Sequence, residues 1–403
     1  MTRAADLLQR LVWYGLLAIV VVSPTQYGVE VIPKTHLSLA DPLIWGVFAL
    51  WLVGVVLSPV RLRSRFPPAM VWLFVMAGVV SAVHAVHPLK SVKDIFQYLE
   101  YFGAAYLLLV NVPDEVGVRR LVDLFLAVAS VVVLVGVAQY AMVRIGDFKV
   151  GATFGNRNVF GGYLAMVVPL MAGVALFEPN RWRRAWLWSM VTLALLVTLS
   201  GGALIAMAVA LAVVTMARGR VAFVAFAVVF LLILLVVLPR LPRHNDAVLN
   251  DSVCLFNDKN EVSLRYTEWQ AATVMIAENP WCGVGLGNFQ DNIGGYFGVL
   301  PRPTGVVEHD SENLYLVLAS SVGLPGLACF LGLLLTGGLR AARRFVTAAE
   351  PHDKGLALGV AGALLGFAIC CIWSPLLVRG IGVPLAMILA FAALADRAET
   401  RAA

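Results

Sequence analysis

The chain has 403 residues, 60% of them hydrophobic and 13% charged, with a net charge of +6 and a mean hydropathy of +0.85. So few charges cannot cover a soluble protein, and the continuous rather than alternating apolar runs exclude a transmembrane barrel. The cations sit in short loops between apolar runs, where membrane topology accounts for them, so the basic balance does not point to nucleic acid.

Apolar runs long enough to cross a ~30 Å hydrocarbon core recur along the chain. They predict spans at 8–23, 39–58, 68–86, 96–112, 121–142, 159–177, 184–200, 202–217, 221–238, 313–338, 357–373 and 380–396. The first run, Leu11 to Ser23, resembles a signal-peptide core. It has no small-x-small cleavage site and further spans follow, so it reads as an uncleaved helix. Of the 30 Lys and Arg residues, 18 fall in the inner segments when the N-terminus is placed inside, leaving 30 − 18 = 12 outside. Five of those twelve lie in one long insert, which weighs little in the count. Both termini are therefore expected inside. The expected fold class is an all-α polytopic membrane protein of about twelve transmembrane helices with one large loop subdomain outside the cell or in the periplasm. Its parts are helices 1–9 (1–239), the loop subdomain (240–311) and helices 10–12 (312–403).

In chain order, Lys90 and Lys93 sit near an outer span end and read mainly as interfacial anchors. Asp94, Gln97 and Glu100 suggest a polar side of the fourth span. Arg157, in Thr153-Phe154-Gly155-Asn156-Arg157-Asn158, lies just outside the sixth span and is either an anchor or a cation for an anionic ligand. The seventh and eighth spans are joined by only Ser200-Gly201-Gly202. The insert begins with a polar stretch, 240–262, that has no clear period and reads as a flap. From Leu264 to Glu278 the pattern turns helical, with Leu264, Ala271, Ala272, Met275 and Ile276 on one face. Asn279-Pro280 stops that helix. Gly283, Gly285 and Gly287 then imply a tight loop with close backbone approach, and no strand precedes them as a dinucleotide loop requires. Cys254 and Cys282 both fall in the insert, where an oxidising compartment permits a disulfide. Cys329, Cys370 and Cys371 read as small apolar residues within spans, and no His/Cys cluster suggests a metal.

Three side chains in or beside the insert offer chemistry. Arg265 lies at the start of the helix, with Glu261 and Glu268 at helical spacing and Trp269 in reach for stacking. It reads either as a surface Arg paired with a neighbouring Glu or as a bidentate anion clamp. His309 and Glu312 are three apart where the tenth span opens. Glu312 reads either as a carboxylate complementing the helix dipole or as a general base, and His309 either as a loop histidine or as that base. No ATP-binding loop, zinc-protease helix or Ser/His/Asp signature is present, so the energy comes from an activated donor or from a gradient. A transferase and a transporter are the two classes left. A transporter would show two related halves with broken helices, and no repeated halves are found.

Several segments together carry a family resemblance. Ser263-Leu264-Arg265-Tyr266-Thr267-Glu268-Trp269 runs on to Glu278-Asn279-Pro280-Trp281-Cys282-Gly283-Val284-Gly285-Leu286-Gly287-Asn288-Phe289. Gly155-Asn156-Arg157-Asn158-Val159-Phe160-Gly161-Gly162-Tyr163-Leu164, Glu312-Asn313-Leu314-Tyr315-Leu316 and Gly323-Leu324-Pro325-Gly326-Leu327 complete the set. The chain resembles the O-antigen ligase/polymerase superfamily. The resemblance implies a GT-C-like, metal-independent glycosyltransferase without cofactor, working on the periplasmic face of the bacterial inner membrane. It implies an undecaprenyl-diphosphate-linked glycan as donor. The acceptor is lipid A-core for a ligase, another lipid-linked repeat unit for a polymerase (O-antigen or exopolysaccharide), and protein for some relatives. Membrane lipid is a partner and nucleic acid is not.

By the same resemblance, Arg265 binds the diphosphate. A His eleven residues before a Gly activates the acceptor, but eleven before Gly323 is Glu312. An Arg often follows the Ser of the seven–eight turn, but here Gly201 stands there. The candidate site is then Glu312 or His309 as base and Arg265 as clamp. Arg157 serves as a replacement cation, and Trp269, Asn313 and Tyr315 as support. The lost His inclines the reading to polymerase over ligase.

Overall fold

The computed structural model describes residues 3–26, 28–32, 35–57, 68–142, 150–241, 261–298 and 311–394. His309, Cys254 and most of the 240–262 flap lie outside the described residues. The described residues are nearly all helical, and each predicted span overlaps one helix or, for the fourth, two helices joined by a π-helical stretch. The helices are α1 (Arg3–Val22), α2 (Ala40–Leu57), α3 (Ala69–Ala82), α4 (Pro88–Tyr98), α5 (Tyr106–Asn111), α6 (Glu115–Met142), α7 (Arg157–Phe177), α8 (Arg181–Val197), α9 (Gly201–Arg218) and α10 (Arg220–Leu232). After the insert's α11 (Glu261–Glu278) and the short α12 (Phe289–Ile293) come α13 (Leu314–Thr347), α14 (Pro351–Cys370) and α15 (Gly382–Leu394). Among the described residues, seven helices are long and apolar enough to cross a membrane, and α3 and α15 are shorter apolar helices.

Two local structures depart from the expected run of helices. Gly28–Ile32 (β1) and Thr35–Ser38 (β2) pair antiparallel as a small hairpin between α1 and α2. Val29, Val31 and Thr35 are β-branched, which favours the extended backbone. The fourth span is interrupted between α4 and α5 by a π-helical stretch, Leu99–Ala105. Such a bulge re-aims side chains within a helix, and here it contains Glu100, which is buried.

The core is built on α7, almost every residue of which is buried. Its principal partner is α14, with α8 and α9 on other sides. Small residues set the α7–α14 approach. A Cβ on Gly359 would lie 2.7 Å from the Leu170 carbonyl oxygen, and one on Gly366 only 2.1 Å from that of Ala165. In lipid, where apolar burial drives helix association little, such backbone proximity supplies the packing.

Candidate active site at the rim of the bundle

The site begins with a loop that the glycines make possible. Helix α13 is broken at Gly323 (φ +74°), and the break leaves carbonyls of the preceding turn without helical partners. The 280–287 loop takes them up. Val284 N–H donates to the Ser320 carbonyl at 2.8 Å, and Gly285 N–H to that of Ser321 at 3.1 Å. In return Leu324 N–H donates to the Pro280 carbonyl at 2.8 Å. A Cβ on Gly283 would stand 2.4 Å from Ser321 backbone atoms, so the close approach anticipated for the Gly-Val-Gly-Leu-Gly run is met by α13. On its other side the loop is tied to α3 and α4. Ser91 Oγ donates to the Leu286 carbonyl at 2.7 Å, and His87 N–H to Asn288 Oδ1 at 2.8 Å. Lys90 pairs with Asp291 at 2.7 Å, a partner beyond the anchor role expected of it.

This platform seats α11. Ala271, Ala272 and Met275 are buried as the pattern required, in a satellite core with Val284, Phe289, Ile293 and Phe297. At the other end of α11, Arg265 forms an ion pair with Glu312 (Nη2 to Oε2). The sequence offered helix-internal Glu partners for Arg265, and this pair joins the insert to the start of α13. The Arg265 side chain is 27% exposed and that of Glu312 36% exposed. A pair this open to water stabilises the fold by about 0–1 kcal/mol.

The turn that presents Glu312 is held from three directions. Trp269 Nε1 donates to the Ser311 carbonyl at 2.7 Å, and its ring meets Tyr266 edge to face at 5.8 Å. The indole thus supports the turn through its N–H, a role the stacking reading did not anticipate. Asn313 caps α13, its side chain accepting from Tyr315 N–H at 3.0 Å and Leu316 N–H at 3.2 Å. Leu314 N–H donates to the Cys371 carbonyl at 2.9 Å, and Tyr315 donates its hydroxyl to the Ala368 carbonyl of α14. Between these ties Glu312 takes φ +47°. That is a left-handed conformation costing about 1–3 kcal/mol in a residue with a Cβ. It persists because its neighbours are fixed on both sides.

The start of α7, which carries Arg157, is linked to the same rim through a chain of packing neighbours. Arg157 opens α7, behind an Asn156 cap that accepts from Asn158 N–H at 2.8 Å. Gly161 lies one turn on, on the same helix face, and a Cβ there would touch Ser200 at 3.0 Å. The Ser200-Gly201-Gly202 turn in turn packs under Trp373, two residues from the Cys371 carbonyl that holds Leu314. Arg157 thus lies one helical turn before the residue that packs on the turn where the resemblance led one to expect an Arg.

Three further charged groups escaped the sequence reading as a unit. Arg379, in the 371–381 loop, pairs with Asp41 at 3.3 Å, and Glu100 has both as charged neighbours. The signal was faint: Arg379 is the lone charged residue of that loop, and nothing local names its partner. Asp94 lies near the Lys93, Arg379 and Lys90 charges. Cys282 is a free thiol.

The family model described as O-Antigen ligase matches residues 186–331, from α8 through the insert into α13. No curated protein matches the chain. The matched segment contains Arg265, Trp269, Glu312, Asn313 and Tyr315. Over that segment the chain is similar to the O-antigen ligase family, in line with the superfamily resemblance read from the sequence.

Proposed function

We propose that the chain is an inner-membrane glycosyltransferase that moves a glycan from undecaprenyl diphosphate to a sugar hydroxyl at the periplasmic face. Extension of a repeat unit, as in O-antigen or exopolysaccharide polymerisation, is preferred to ligation onto lipid A-core. The observation that carries the reading is the Arg265–Glu312 pair, formed between the insert's helix and the turn opening α13. The preference for polymerase rests on the carboxylate at 312, where ligases have His.

The pair suggests how the two groups divide the work. A guanidinium binds phosphate oxygens bidentately and keeps its charge. An arriving diphosphate competes with Glu312 for Arg265 and takes its place. The released carboxylate then accepts the proton of the acceptor hydroxyl as that oxygen attacks the anomeric carbon. The bond from that carbon to the diphosphate oxygen breaks, and the lipid diphosphate leaves with the electron pair. Arg265, with Arg157 as second cation, offsets the charge that grows on the leaving group. The step calls on no metal and no cofactor. The strained backbone and the Trp269 tie hold Glu312 in position, which lowers the entropic cost of the encounter.

The test is a transfer assay with purified protein in phospholipid nanodiscs, lipid-linked donor and sized products. Repeated extension on a lipid-linked acceptor is expected. A single block transferred to lipid A-core would move the assignment to ligase. Loss of solute uptake in deletion cells, with glycan length unchanged, would favour the transporter class. His309→Ala serves as the control for the base: activity is expected to survive it.

A further inference from the structure

We propose that the 279–289 segment of the insert and helix α4 together form an interfacial wedge. The wedge sits in the phospholipid leaflet on the insert side, with Trp281 among the upper acyl chains. The inference rests on burial and connectivity and does not depend on which glycan is transferred.

The placement follows from the break in α13. Its 34 residues would be about 51 Å long if straight, whereas the 20 residues of α14 span about 30 Å. Yet α14 begins four residues after α13 ends, and its far end meets the start of α13 through Leu314 and Cys371. The first nine residues of α13 must therefore fold over at Gly323 towards the membrane plane. From Leu324 the helix rises about 24 Å to the exposed Arg340 and about 29 Å to the exposed Arg343, close to the thickness of a hydrocarbon core. Gly323 thus marks one boundary of the bilayer and Arg343 the other. The 280–285 loop is bonded to α13 at that break, so it lies at the boundary and not above it.

What the wedge exposes there is apolar. Trp281 is 75% exposed, and Leu324 beside its loop is also exposed. Leu324 continues into Leu331, Leu335 and Leu339, the exposed apolar stripe that α13 turns to lipid. On α4 the exposed residues Leu89, Val92 and Phe96 fall three and four apart and make one stripe, with Leu89 at 84%. The opposite side of α4 holds the insert loop through Ser91. An amphipathic helix with lysines at its flank and an exposed Trp next to it is the composition that settles at a membrane–water boundary. Water is a poor partner for this surface, and it is continuous with the lipid-facing surface of the bundle.

The experiment uses the full chain in phospholipid nanodiscs with benzoylphenylalanine at 281, at 331 as a lipid-facing reference, or at Gln270, an exposed polar position of α11. After irradiation, phospholipid adducts are expected at 281 and 331 and not at 270. Adducts at 331 without any at 281 would overturn the proposal, as would labelling at 270 equal to that at 281. Should the 281 variant fail to run as a single species, Trp281→Phe gives a second reading. Quenching of tryptophan emission by lipids brominated near the headgroup is expected to fall in that variant, and an unchanged amplitude would reject the wedge.

Discussion

The α7–α14 contact and the Arg265–Glu312 rim stand at opposite limits of packing in this bundle. In the first, backbones approach so closely that a methyl group has no room. In the second, two charged side chains meet while remaining 27% and 36% exposed, and the turn beneath them is held by a few polar ties. The comparison teaches that stability and chemistry are carried by different parts of the chain. The core tolerates almost no change in volume, whereas the rim contributes little to folding and is open to a ligand.

The sharpest way to break that contrast is to put a side chain into the contact. Gly359→Val places a branched group against the Leu170 carbonyl, and overpacking against rigid backbone falls at or above the upper end of the usual range of about 1–3 kcal/mol. Loss of monodisperse protein on gel filtration is the expected result, and a well-folded, stable variant would refute the close-approach account. Next comes Arg379→Leu, which leaves the Asp41 and Glu100 carboxyls without their partly buried cation and destabilises by about 3 kcal/mol. A melting temperature within 1–2 °C of the parent, about the size of a surface change, would contradict it.

Trp269→Phe tests the rim itself. It leaves the Ser311 carbonyl without its donor, at a cost of about 1–3 kcal/mol borne locally. Transfer is expected to fall roughly tenfold, more in kcat than in KM, since the turn orients the base. A rise in KM alone would instead assign the indole to substrate binding.

The helices were legible because uninterrupted apolar runs have few other solutions in lipid. The α11 face was legible too, because Ala271, Ala272 and Met275 keep a helical period. The glycine run announced a close approach but not its partner, since the carbonyls of Ser320 and Ser321 become available only when α13 breaks at Gly323. Arg265 and Glu312 were both singled out, but as separate residues with local alternatives. Their pairing spans 47 positions (312 − 265), and no periodicity reports a contact across that distance. The hairpin and the π-helical turn were missed for a related reason. A short β-branched stretch between spans and one extra residue in a helical turn barely alter the hydropathy pattern. Trp269 was noticed for its aromatic face, whereas its N–H carries the structural contact.

A double-mutant cycle of Arg265→Lys and Glu312→Gln tests the central claim most directly, read as transfer from purified lipid-linked donor in nanodiscs. Each single change should lower kcat/KM by about 100-fold or more, since lysine lacks the planar fork and glutamine cannot accept the proton. The double variant should be little worse than either alone, because groups that act as one unit are not additive. Losses that multiply in the double variant, or near-parental transfer by either single variant, would contradict the account.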